Sequence, residues 1–148
     1  MDPLRMLSPP APISALSIWN VESDTDLAKV REAIAELVAA QPADAVADET
    51  AQSMGLVATE LAGNALRHGR PPVVVRLLGD DDCYILDVSD HGVHDHPRPV
   101  TDRQDFVAGG RGLLICLAVA EQVCWYVTAT TKHIWAAFPR PRPGEPRS

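Results

Sequence analysis

"ELAGNALRHG", Glu60–Gly69, is the stretch on which the reading of the chain turns. Glu60 and Asn64 stand four residues apart, so on a helix they share one face. Leu56, Leu61 and Ala65 are spaced to turn toward a core. Gly69, followed by Arg-Pro-Pro, stops the helix. A carboxylate and an amide beside an apolar stripe also describe the solvated edge of an ordinary helix. The same pair can do chemistry: the amide oxygen is a hard ligand for a divalent cation, and the carboxylate can accept a proton.

On either side of this helix the periodicity changes in a regular order. Residues 1–12 hold four prolines and read as a flexible arm. "ISALSIWNV" (13–21) alternates as a first strand. "SDTDLAKVREAIAELVAAQ" (23–41) starts on capping residues, Ser23, Asp24 or Thr25, and repeats Leu27, Val30, Ala33, Ile34, Leu37 and Val38 at helical spacing. The second helix runs from about Ala45 to His68. "VVVRLLG" (73–79) and "CYILDVSD" (83–90), separated by three aspartates, predict an antiparallel hairpin. Residues 91–109 are polar and form a long loop, a length that usually signals function. "GGRGLLICLAVAEQ" (109–122) opens on glycines and continues as an apolar helix, and "VCWYVTAT" and "HIWAAFP" close the chain as strands. The order predicts an α+β fold, a two-layer sandwich with helices on one face of a mixed sheet. One domain is expected over 13–139, with a disordered tail over 140–148.

Composition narrows the function. The 148 residues suffice for one domain with its own core. The net charge of -7, from 20 acidic residues against 13 Lys plus Arg, argues against a general nucleic-acid binder. Cys83, Cys116 and Cys124 form neither a disulfide framework nor a C-x-x-C pair and read as buried thiols in a reducing cytosol. No apolar run is long enough to span a bilayer, and the start of the chain lacks the features of a signal peptide. A cytoplasmic protein is expected.

Two further motifs carry weight through their order. "VSDHG" (88–92) puts Asp90 at a strand end, where it can accept a hydrogen bond from an exocyclic amine, and Gly92 leaves room for a flat base. "GGRGL" (109–113) opens a helix with glycines whose N–H groups can face an anion. Either motif alone is a common turn.

In this order, the three motifs resemble the nucleotide pocket of the GHKL (histidine kinase-like) ATPase superfamily. "ELAGNALRHG" is similar to its N box, "DVSDHG" to its G1 box and "GGRGL" to its G2 box, with an ATP lid between the last two. The resemblance covers about residues 13–138. "TELAGNALRHG", "GGRGLLI" and "TKHIWAAF" are most similar to the anti-sigma factor serine/threonine kinase branch, whose actinobacterial members are short single domains.

The resemblance implies a role for each matching residue. Glu60 would be the general base, and Asn64 would coordinate Mg²⁺ brought with ATP. Asp90 would read adenine N6, with Gly92 making room for the base. Gly110, Arg111, Gly112 and Leu113 would form the phosphate-binding turn. Arg67 and His68, one turn past Asn64, lie near the pocket, with a structural role expected for His68. His94 stands where many relatives carry the second glycine of the G1 box. The lid has no lysine, so Arg98, Arg103 and Arg111 are its basic groups. His91, His94 and His96 have the look of a metal site, but in this reading they decorate the lid.

The implied function is an ATP-binding anti-sigma-type regulator. It would sequester a sigma factor and phosphorylate a serine or threonine of an antagonist protein. The alternative is an ATP-binding regulatory module without phosphoryl transfer. No direct nucleic acid and no membrane are expected as partners, and the resemblance favours a homodimer.

Overall fold

A computed structural model describes residues 5–9, 14–39, 45–93 and 111–140. The elements follow as β1 (Arg5–Met6), β2 (Ser14–Val21), α1 (Asp24–Ala39), α2 (Ala45–His68), β3 (Val73–Gly79), β4 (Cys83–Asp90), α3 (Arg111–Val119), β5 (Gln122–Val127) and β6 (Lys132–Pro139). The strands form a six-stranded sheet in the order β1-β5-β6-β4-β3-β2. β1 runs parallel to β5, and the other pairings are antiparallel, so the sheet is mixed. The α+β layered fold expected from the order of elements is the fold found.

Alternation explains the sheet's two faces. In β3, β4 and β6, the residues Val73, Val75, Leu77, Tyr84, Leu86, Val88, Ile134, Ala136 and Phe138 enter one core with the helices. Their neighbours Leu78, Ile85 and Trp135 form a smaller cluster on the other face with Cys124. α1 buries Leu27, Val30, Ile34 and Val38, a stripe of i, i+3, i+4 spacing. Ser23 opens this helix: its Oγ accepts from Asp26 N at 3.4 Å. α2 buries Met54, Val57, Ala58, Leu61, Ala62 and Ala65 in the same manner. Leu37 and Leu56, which the periodicity turned inward, lie at the edges of their stripes and are 37% and 40% exposed.

The β3–β4 hairpin turns on aspartate chemistry. Asp80 Oδ1 accepts from both Asp82 N and Cys83 N at 2.8 Å, which closes the turn and holds the Asp80 carboxyl below its usual range.

The amino-terminal arm differs from expectation. Arg5–Met6 pair with Cys124 and Trp125, and the Trp135 indole donates to Leu7 O at 2.7 Å. A buried indole N–H needs an acceptor, and the arm's backbone supplies it. Residues 1–4 and 10–13, and the tail from 141 on, lie outside the described residues. No helix among the described residues is long and apolar enough to cross a membrane.

On the outer face a polar group is fully enclosed. Asp87, 0% exposed, accepts from Arg76 Nη2 at 2.7 Å and from Arg76 Nε at 3.0 Å. His133 Nδ1 lies 2.9 Å from the same carboxylate oxygen, and the His133 ring stacks on Tyr126 with centroids 4.4 Å apart. Burial disfavours charging of Arg76, but the hydrogen bond and charge of Asp87 outweigh it, and the guanidinium's pKa rises.

Candidate functional site

α2, the end of β4 and the start of α3 bring the three motifs together. Glu60 and Asn64 are half-buried on α2, at the margin of its apolar stripe. Glu60 turns toward the first turn of α3: a Cβ built on Gly112 would stand 2.7 Å from Glu60 Oε2. Glycine at 112 is thus a spatial requirement of this approach, since any side chain there would push the carboxylate away. The first turn of a helix carries backbone N–H groups without helical partners and the positive end of the dipole, which suit a carboxylate or a phosphate. Cys116, one turn along α3, records the same proximity. Burial first, and the Glu60 charge second, push its thiol up to about 12.

Asp90, the last residue of β4, is 4% exposed. Its Oδ1 is held by backbone: Gly92 N donates at 2.6 Å and Arg70 N at 3.4 Å. Its other oxygen lies against the end of α2, where a Cβ on Gly69 would come within 2.6 Å of Asp90 Oδ2. Gly69 N caps α2 by donating to Ala65 O at 2.8 Å. The glycine that ends the helix therefore also lets Asp90 sit beneath it, and the N-box and G1-box stretches meet there.

Of the other expected residues, Gly92 and Gly112 are buried, while Arg67, His68 and His91 are exposed. Leu113 is 4% exposed and belongs to the apolar core, so its side chain packs while its backbone stays in the first turn of α3. Arg111 begins α3. Gly110, His94, His96, Arg98 and Arg103 lie outside the described residues. Among the described residues no group of three histidines, cysteines or acids is arranged for a metal ion.

Sequence reasoning missed Lys132. It opens β6 in register with Asp90, is 8% exposed, and places Nζ 3.7 Å from Asp90 Oδ2. The signal was its phase: Lys132, Ile134, Ala136 and Phe138 alternate together, so a strand over 132–139 turns all four to the helices.

A cleft of about 640 Å³ opens nearby, lined by Asn20, Glu22, Leu66, Pro71 and Pro72 among others. It borders the end of α2 without involving Glu60, Asn64 or Asp90, so the site is defined by its converging polar groups rather than by that space.

No curated protein matches the chain. The family of the histidine kinase-like ATPase domain matches residues 23–138, a span that contains α1, α2, β3, β4, α3 and β5 and almost all of β6. The motif order, the layered fold and the meeting of Glu60 with Gly112 and of Asp90 with Gly69 agree with that match, and the chain belongs to the histidine kinase-like ATPase domain family.

Proposed function

We propose that this protein is an ATP-binding regulator of the anti-sigma type, which phosphorylates a serine or threonine of an antagonist protein and controls transcription by sequestering a sigma factor. The observation that carries the reading is the approach of Glu60 to Gly112. A proton acceptor beside the anion-binding first turn of α3 is what hydroxyl activation next to a phosphate requires.

The residues present suit a nucleotide with its metal. Asn64 offers an amide oxygen one turn from Glu60, and hard oxygen donors fit Mg²⁺. Gly112 leaves an open cradle at the helix start, and Asp90 is held ready by the backbone of Gly92 and Arg70. When bound, Mg²⁺·ATP supplies the transferable phosphoryl group. Glu60 takes the proton of the attacking hydroxyl, Asn64 holds the metal, Asp90 orients the base, and the N–H groups of the α3 turn receive phosphate oxygens. The antagonist's new phosphate adds negative charge, which weakens an apolar or acidic interface.

A cytosolic location, binding of a sigma factor and its antagonist, and a homodimer belong to the same proposal. A second reading, an ATP-binding module without transfer, is favoured by His94, which stands where many relatives carry a glycine. One pair of measurements separates the readings. Mg²⁺ with ATP at 100 times its dissociation constant should stabilise the fold by about 2.7 kcal/mol. Phosphorylation of a co-purified antagonist should occur with the wild type and vanish in Glu60→Ala. Regulation that survives in Glu60→Ala would favour the second reading, and no thermal shift at millimolar nucleotide would remove both.

A further inference from the structure

The turn between β5 and β6, residues 128–131, feeds a chain of polar groups that leads into the sheet. Thr131 Oγ lies 2.8 Å from His133 Nε2, and His133 Nδ1 lies 3.1 Å and 2.9 Å from the two oxygens of Asp87. A hydroxyl, an imidazole and a carboxylate thus stand in line. They share the outer face with Ile85 and Trp135, away from Glu60 and Asn64.

Counting donors and acceptors assigns the protons. Thr128 Oγ accepts from Thr130 N at 3.3 Å and from Thr131 N at 3.0 Å. A hydroxyl oxygen has two acceptor sites, so both are filled. Its own proton is left for Thr131 Oγ, 2.6 Å away. The Thr131 proton then points at its other neighbour, His133 Nε2. That nitrogen is the bare acceptor, and the ring proton sits on Nδ1, donated to Asp87. The ring is held in this orientation, because Tyr126 stacks on it with an interplanar angle of 7° and Asp87 is itself gripped by Arg76. His133 and Asp87 are buried, whereas Thr131 is half-buried at the margin of the sheet. Turn closure accounts for Thr128, but it does not require a base oriented against the next hydroxyl.

A hydroxyl bonded to a base, with the base oriented by a third group, is the arrangement that activates a nucleophile. We propose that Thr131 is an acyl-acceptor site, whose hydroxyl takes a small acyl group from an ester or thioester with a good leaving group. Thr131 Oγ attacks the carbonyl carbon, and as the new C–O bond forms the hydroxyl proton passes to His133 Nε2. The bond from the carbonyl carbon to the leaving oxygen or sulfur breaks, and its electron pair stays with the leaving group. The imidazolium then gives its proton to that group or to water, which leaves an O-acyl threonine and a neutral histidine. Asp87 positions the ring and offsets the transient imidazolium charge. The proposal is independent of the nucleotide reading, since it uses neither the N-box nor the G1-box residues.

Timed incubation of the full chain with p-nitrophenyl acetate, followed by peptide mass mapping of the acetylated residues, tests it. Thr130 is the internal reference: it is exposed in the same turn and has no hydrogen bond to a histidine among the described residues. Exposure alone would favour Thr130, so a preference for Thr131 reports activation. With general-base assistance, Thr131 should be acetylated at least about 100-fold faster than Thr130. His133→Asn keeps an amide donor for Asp87 but removes the base, and should bring the two rates within about tenfold of each other. Circular dichroism would show that the variant is folded. Thr131 reacting no faster than Thr130 in the wild type would overturn the proposal. So would a folded His133→Asn that retains the wild-type ratio. Should His133→Asn fail to fold, the wild-type ratio alone decides.

Discussion

Glu60 Oε2 lies so close to the backbone of Gly112 that a methyl group there would stand 2.7 Å from it. Two residues on different helices, distant along the chain, thus share one small space, and each restricts the other. In Gly112→Ala, the end of a flexible side chain must move, which is cheap, and alanine favours the helix by up to about 1 kcal/mol over glycine. Stability measured by denaturant should therefore change little or rise. Phosphoryl transfer should fall about 100-fold, because the displaced carboxylate no longer meets the hydroxyl in its reactive geometry. Unchanged transfer in Gly112→Ala would detach Glu60 from the chemistry.

Glu60 and Asn64 should separate by function. Asn64→Ala removes the amide oxygen assigned to the metal, and should abolish the part of nucleotide binding that depends on Mg²⁺. Glu60→Ala should retain nucleotide binding and lose transfer. Titration calorimetry with and without Mg²⁺, paired with a phosphorylation assay, measures both. Two variants that bind and react like the wild type would refute the N-box assignment.

Asp87 serves stability rather than the site. It is fully enclosed on the outer face of the sheet and holds Arg76 and His133. Asp87→Ala would leave that arginine and histidine without their acceptor, at a cost of about 3 kcal/mol. The chemical denaturation midpoint should fall accordingly, with nucleotide affinity of the folded fraction unchanged, since Asp90 and Glu60 lie on the helix side.

The cysteines set an upper pH limit. Burial raises Cys83 to about 11 and Cys116 to about 12, against an ordinary 9.0. The native state therefore keeps protons that the unfolded chain releases. This contribution to stability is whole below pH 9.0 and is lost as pH rises toward about 12, and the raised Tyr126 phenol acts in the same direction. Thermal melts from pH 8 upward should show a progressive decline. Below that range, Cys83 should react with iodoacetamide about 100-fold more slowly in the folded protein than after unfolding, in proportion to its thiolate fraction.

Much of the fold is written locally. The period of Leu27, Val30, Ile34 and Val38 specifies α1, the β-branched runs specify β3 and β4, and Asp80 with its neighbours specifies the turn between them. Such features depend on residues a few positions apart, so the chain carries them before it folds. The site motifs were legible for the same reason: Glu60 and Asn64 sit at helical spacing, and Asp90 and Gly92 sit at a strand end. The inward phase of Leu56 failed because periodicity marks a stripe but not its width, which depends on what packs against it.

By itself, the sequence determined the kinds of element, their order and the residues proposed for nucleotide chemistry, because propensity, alternation and turn chemistry are short-range. Only the tertiary structure decided which of those residues meet. The contact of Glu60 with Gly112, the seating of Asp90 under Gly69, the addition of Arg5–Met6 beside β5 and the pairing of Lys132 with Asp90 all join segments distant along the chain. Strand order and helix packing bring them together, and the contacts so made leave no periodic trace in the sequence.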